Sequence, residues 1–148
     1  IVSGQVPTDG SVATFDIFQW CEEQTINLRC WTARPIIFRP HPLARDISFE
    51  IPGAVRSEKS LSEDLSEAWA VVTYNSTSSS MAVIDGVPVF TADRGSMAWE
   101  VSNHDLKKIE NPVLFDRTQW AFNLAYTQWQ LEEIKAGLAW DHLKGVGS

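Results

Sequence analysis

Residues 69–91 read WAVVTYNSTSSSMAVIDGVPVFT, and this stretch decides the fold class. Trp69-Ala70-Val71-Val72-Thr73-Tyr74 is an apolar, β-branched run of strand length. It passes directly into Asn75-Ser76-Thr77-Ser78-Ser79-Ser80, a polar cluster that ends the strand and starts a helix through Met81, Ala82, Val83 and Ile84. Gly86 tolerates the left-handed conformation that closes a helix, and Val87-Pro88-Val89-Phe90-Thr91 is the next strand. Strand, helix, strand, with apolar rather than alternating strands, is the pattern of parallel strands buried on both faces.

Outward from that unit the same pattern repeats. Ile36-Ile37-Phe38 is an earlier strand that ends at Arg39, because Pro40 and Pro42 cannot donate to a ladder. Ile1-Val2-Ser3 is the tail of another, followed by a turn-rich loop from Gly4 to Ser11. Phe15, Phe18, Cys21 and Glu22 mark a helix over about residues 14–24. The stretch from Ile47 to Glu58 reads as loop with one short strand, and Ser60-Leu61-Ser62-Glu63 is a capping box opening a helix to about Ala68. The expected fold is therefore an open, doubly wound, parallel α/β sheet over residues 1–95, with a helical extension over 96–148. In the extension, Asp116 and Gln119 start one long helix to about Ala136, and Gly137 precedes a last turn with Trp140 and Leu143.

Composition narrows the function classes. With 148 residues, 44% hydrophobic, including 7 Trp and 7 Phe, the chain can bury one ordinary core, which excludes a disordered or collagen-like chain. A net charge of −7, from 12 basic against 19 acidic residues, argues against a broad footprint for duplex nucleic acid or anionic lipid. No apolar run approaches the ~20 residues of a membrane helix, so no transmembrane segment is expected. IVSGQV lacks the order of a signal peptide, and a cytoplasmic location follows as the expectation. Cys21 and Cys30 could bridge only if a helix ended between them, and two reduced thiols is the plainer reading. Because the sequence opens inside a strand, a fragment of a longer chain is expected.

In open α/β sheets, ligands bind outside the carboxyl ends of the strands. Three strand ends carry candidate residues. Gly4 and Gln5 open the first loop, with Thr8, Asp9, Gly10 and Ser11 behind them. Arg39-Pro40-His41-Pro42 projects a guanidinium and an imidazole from a loop stiffened by two prolines, which suits a phosphate or carboxylate; the alternative is a solvated surface turn. Asn75-Ser76-Thr77 places hydroxyls and amides at a helix amino end, where the dipole favours an anion; the alternative is local capping alone. The Gly4 loop matches neither GxGxxG nor the P-loop, and CxxC, HExxH and GxSxG are absent. His41, His104 and His142 are too scattered to suggest zinc. Trp99, Trp120, Phe122, Tyr126, Trp129 and Trp140 have the spacing of packed helix faces rather than of a carbohydrate platform, and Asp93, beside Arg94, reads as a solvated loop residue.

Taken together, Arg39-Pro40-His41-Pro42, the run from Trp69 to Thr77, and Gly86-Val87-Pro88-Val89-Phe90 resemble the carboxyl-terminal half of GT-B glycosyltransferases. The likeness is to the capsule-polysaccharide and Kdo-transferase type and to related phage transferases, and Asp116-Arg117 through Trp120, Ala125-Tyr126, Gln128-Trp129, Glu132-Glu133 and Gly137 to Trp140 extend it. The resemblance implies that Arg39 and His41 contact the phosphate of a nucleotide-sugar donor and that Asn75, Ser76 and Thr77 cradle it. Gly4 and Gln5 match the first loop of the family, and Glu110 is a ribose or sugar contact. It further implies a partner amino-terminal domain carrying the acceptor side and general base, so that this chain binds donor without turning it over alone. No cofactor or obligatory metal is expected. The other readings are a non-catalytic nucleotide or sugar-phosphate binding module and a fragment of a GT-B-like sugar epimerase.

Overall fold

The computed structural model describes residues 1–44 and 48–145. Five strands, β1 (Val2–Ser3), β2 (Ile37–Arg39), β3 (Val55–Arg56), β4 (Val71–Thr73) and β5 (Val89–Thr91), form one sheet in the order β3-β2-β1-β4-β5. Every pairing is parallel. The chain thus lays β2 and β3 to one side of β1, then returns to place β4 and β5 on the other. Helices α1 (Ile17–Arg29), α2 (Leu61–Ser66) and α3 (Ser78–Asp85) connect the strands and flank the sheet. The short strand expected after Ile47 is β3, while Ile47 itself lies outside the described residues.

Register explains which side chains meet. Val2 aligns with Phe38 and Val72, and Val72 with Phe90. These residues share one face, and with Cys21 and Leu28 of α1 they form the main core. The next residue in each strand, Ser3, Arg39, Thr73 or Thr91, points the opposite way. There the Ser78 hydroxyl of α3 donates to Ser3 at 3.0 Å and Arg39 meets Asp64 of α2. This second layer is rich in hydroxyls: Ser79 lies 3.2 Å from Ser96, and Thr91 lies 2.6 Å from Ser102. Mutual pairing makes their burial tolerable, since a buried hydroxyl without a partner carries its full desolvation cost.

Local chemistry sets the helix limits. Asp16 caps α1 by accepting from the amides of Phe18 at 2.8 Å and Gln19 at 3.2 Å, so the helix starts later than residue 14. It also runs past residue 24, because Thr25 is buried with its hydroxyl donating to the Cys21 carbonyl at 2.9 Å and Leu28 joins the core. The Ser60–Glu63 capping box opens α2, and Gly86 closes α3 at φ 80°.

The chain divides into two compact units, Ile1–Arg117 and the residues from Thr118 onward. In the second, the single long helix expected over residues 116–136 is instead α4 (Thr118–Tyr126) and α5 (Leu131–Lys135), followed by α6 (Leu138–Gly145). The Thr127 hydroxyl donates back to the carbonyls of Asn123 and Leu124, and Glu133 accepts from the Gln130 amide at 2.7 Å. One helix is closed and the next opened within four residues. His142 of α6 packs edge-on to Tyr126 with ring centres 4.8 Å apart. Among the described residues no helix is long and apolar enough to cross a membrane.

Both cysteines are free, Cys21 within α1 and Cys30 at its end. Burial pushes the Cys21 thiol up to about 12, whereas Cys30 is exposed. Titration of the native chain with a thiol reagent near pH 8 is therefore expected to label Cys30 alone, with Cys21 reacting only after denaturation; rapid labelling of both would contradict the packing of α1.

Candidate functional site

The strand order reverses between β1 and β4, so the loops leaving these strands diverge and open a crevice at their carboxyl ends. Gln5, Asp9 and Ser11 line it from the loop after β1, and His41 from the loop after β2. Asn75, Ser76 and Thr77 line it from the turn between β4 and α3, with Gly95 and Met97 beyond β5; the cavity is about 210 Å³. Five of the residues expected from the sequence, Gln5, His41, Asn75, Ser76 and Thr77, thus come together.

Asn75 ties the crevice across the reversal. Its side-chain oxygen accepts from the Gln5 amide at 2.8 Å and the Ser11 hydroxyl at 3.3 Å, and its amide nitrogen donates to Asp93 at 2.9 Å. The Asn75 backbone amide donates in turn to Gln5 at 3.2 Å. Asp93 also accepts from the Gly95 amide at 3.0 Å, and a Cβ on Gly95 would stand 2.7 Å from that carboxylate. Only glycine leaves Asp93 room where it sits. Asp9 accepts from the Ser11 amide at 3.0 Å and hydroxyl at 2.9 Å. These bonds hold its carboxyl below the usual carboxylate range, and nearby His41 acts in the same direction.

At the start of α3, the Ser76 amide donates to Thr73 and the Ser78 amide to Ser76, each at 3.3 Å. Thr77 stands at the N-cap without a side-chain capping bond, so capping alone does not account for its hydroxyl. His41 is half-buried, and its Nδ1 accepts from the Leu43 amide at 3.2 Å as Pro42–Ala44 turn away. In the neutral ring the proton is therefore on Nε2, which makes that atom the donor.

Three expected site residues, Arg39, Glu110 and Gly4, do not line the crevice. Arg39 follows the inward register of Ser3 and is buried, its guanidinium 2.5 Å from Asp64 and 2.8 Å from the Lys59 carbonyl. The Ser57 hydroxyl donates to the same carboxylate at 2.7 Å. Arg39 thus anchors the Pro40–His41–Pro42 loop to α2 from beneath and lines no part of the crevice. Glu110 accepts from Thr32 and pairs with Arg34 at 3.1 Å, beside the chain entering β2, at the opposite edge of the sheet. Gly4 continues the ladder, its amide donating to the Arg39 carbonyl at 2.9 Å. Asp9 and Ser11 belong to the first loop named from the sequence; Asp93, expected as a solvated loop residue, instead accepts from Asn75 and Gly95, and Gly95 carries no sequence expectation. The legible signal for the last two was Asp93-Arg94-Gly95 directly after a strand, an acceptor with a glycine two residues on.

A larger cavity of about 460 Å³ lies beside the amino ends of β1, β2 and β4, where Ile1, Ile36 and Ala70 contribute to its wall. Its charged side chains are already paired: Arg34 with Glu110, Arg56 with Glu58, Lys59 with Glu67, and Asp64 with Arg39. It lacks the diverging loops that recommend the smaller crevice. Among the described residues no three His, Cys, Asp or Glu side chains come together as a metal site. Comparison with protein-family models, with curated proteins and with solved structures finds no match to this chain.

Removing one partner of the buried pair should be costly. Arg39→Ala is expected to lose about 3–5 kcal/mol in urea unfolding, since it strands the Asp64 carboxylate; a loss under about 0.5 kcal/mol would instead place Arg39 at a solvated surface. Asn75→Asp sets a carboxylate against Asp93 and should cost about 1–3 kcal/mol at neutral pH. Its deficit should shrink as pH falls and the carboxylate pair takes up a proton, read from unfolding midpoints at pH 7 and pH 4.5.

Proposed function

We propose that the crevice between β1 and β4 binds the phosphate side of a nucleotide-sugar donor, and that the chain is the donor-binding half of a glycosyltransferase of GT-B type. The observation that carries this reading is the convergence of His41 with Asn75, Ser76 and Thr77, two motifs well separated in the sequence, in one cavity where the strand order reverses. The resemblance to capsule-polysaccharide, Kdo and phage transferases assigns donor contacts to the same residues. In this reading the sheet is doubly wound, with α1 on one face and α2 and α3 on the other.

The charge balance refines the ligand. With Arg39 bound to Asp64, no arginine or lysine among the described residues lines the crevice, so an anion there is held by His41 Nε2–H, the hydroxyls of Ser76 and Thr77, and the amino end of α3. That set suits a single phosphate better than a pyrophosphate, and a CMP-linked sugar better than a UDP-linked one. A volume of about 210 Å³ falls below the ~300–1,000 Å³ that encloses a whole drug-sized ligand. The crevice accordingly holds part of the donor, and a second domain supplies the rest.

Transfer requires an acceptor hydroxyl that is deprotonated and aligned with the anomeric carbon. Asp9 and Asp93 are both engaged by neighbouring donors, which suits them to shaping the crevice and leaves the base to the proposed amino-terminal domain. A binding module without chemistry would share every contact named here and differ only in turnover.

Calorimetry with CMP- and UDP-linked sugars tests the reading. Binding should be stronger for the CMP compounds and unchanged by EDTA. His41→Ala should weaken it more than tenfold, as expected for about 1.5–3 kcal/mol from one hydrogen bond to a charged group. Turnover should appear only in a longer chain carrying the second domain. Absence of binding, or equal affinity in His41→Ala, would overturn the donor site, and efficient transfer by the 148 residues alone would overturn the half-enzyme.

A further inference from the structure

A second cavity, of about 270 Å³, lies between α1 and the segment after β5, and the donor site makes no use of it. Trp20, Gln24 and Asn27 recur along α1 and Trp31 follows just past its end, at spacings of four, three and four, so one stripe of the helix and its terminus supplies one wall. Phe90 and Val72 form an apolar floor, and His104 and Lys107 stand opposite. The wall sets two carboxamides, Gln24 and Asn27, between two indole rings, a combination unlike either the packed core or the solvated surface.

Each polar group is set for a particular role. Trp31 is exposed, and its indole N–H donates to Asn27 at 3.2 Å, which fixes the ring where α1 ends. The Lys107 ammonium stands over that ring, 5.5 Å from its centre. Trp20 is held edge-on by Tyr74 at 5.8 Å. His104 is stacked on Trp99 at 3.7 Å, with Nδ1 3.3 Å from the Thr91 carbonyl. A carbonyl only accepts, so in the neutral ring Nδ1 carries the proton and Nε2 presents a lone pair. The cavity therefore combines a fixed aromatic wall, donors and acceptors on the Gln24 carboxamide, an acceptor at His104 and a donor at Lys107.

We propose that this cavity binds one neutral sugar ring of a saccharide. The C–H face of a pyranose is apolar and stacks on indole, the long Lys107 side chain swinging from the face of Trp31 to the rim as the sugar enters, while its equatorial hydroxyls both donate and accept, which matches carboxamide, imidazole and ammonium groups there. The volume is below that enclosing a drug-sized ligand, so a single ring fits and the rest of a chain runs out over Trp31. The proposal stands independently of the donor site, since none of its residues lines the crevice between β1 and β4.

The test is titration of the chain with neutral mono- to tetrasaccharides of glucose, galactose, mannose and N-acetylglucosamine, followed by tryptophan fluorescence and by the indole N–H signals in nitrogen-15 spectra. At least one saccharide should give a saturable change that moves the Trp20 and Trp31 indoles. Trp31→Ala and Gln24→Ala should each weaken that binding more than tenfold with an unchanged unfolding midpoint. The same variants should keep their affinity for the CMP-linked sugar, and His41→Ala should keep its affinity for the saccharide, so that failure of either site is read separately. No indole shift across the whole set, saccharide binding unaffected by Trp31→Ala, or occupation of the cavity by cytidine instead would overturn the proposal.

Discussion

The parallel pairing of β1 with β4 is the constraint from which the rest of the molecule follows. Val2 opposite Val72 and Ser3 opposite Thr73 set two strands side by side that are about seventy residues apart in the chain. Because β2 has already taken the other edge of β1, the chain must leave these strands in opposite lateral directions. Their outgoing loops cannot close over the gap. Gln5 and Asn75 span it with hydrogen bonds, and the crevice is what remains above them.

A buried ion pair then fixes the third wall. Arg39 points inward because it shares the register of Ser3, and the α2 helix, started by its capping box, delivers Asp64 to meet it. The pair is nearly dry, with side chains 8% and 5% exposed, and Ser57 and the Lys59 carbonyl occupy further hydrogen-bonding positions. Such a pair adds little net stability over an apolar contact but defines geometry, because neither charge tolerates loss of the other. Its effect is to hold the base of the loop that carries His41.

The α/β class and the strand positions were legible because strands buried on both faces are written as continuous apolar runs, as in Val71-Val72-Thr73 and Val89-Phe90-Thr91. Capping chemistry was equally legible at Ser60 and Gly86, where one or two residues decide the outcome locally. Partner choice at long range was not. Arg39 after a strand looks the same whether it reaches solvent, a ligand or a carboxylate 25 residues away, and only the sheet register distinguishes them. Asp93 looked solvated for the same reason, since its partner Asn75 belongs to the neighbouring strand end. In the second unit, apolar spacing ran unbroken through Thr127 and Gln130, and the Thr127 hydroxyl, bonded back to Leu124, and the Gln130 amide, bonded to the Glu133 carboxylate, divided the helix.

The most direct measurement is nitrogen-15 amide shift mapping during titration with cytidine 5′-monophosphate. If the reversal of strand order makes the ligand site, the largest shifts fall on Gln5, Ser11, His41 and residues 75–78, spread over three loops and joined only in space. Shifts confined to the residues around Ile36, Lys59 and Trp69 at the larger cavity, or no shifts at all, would contradict it.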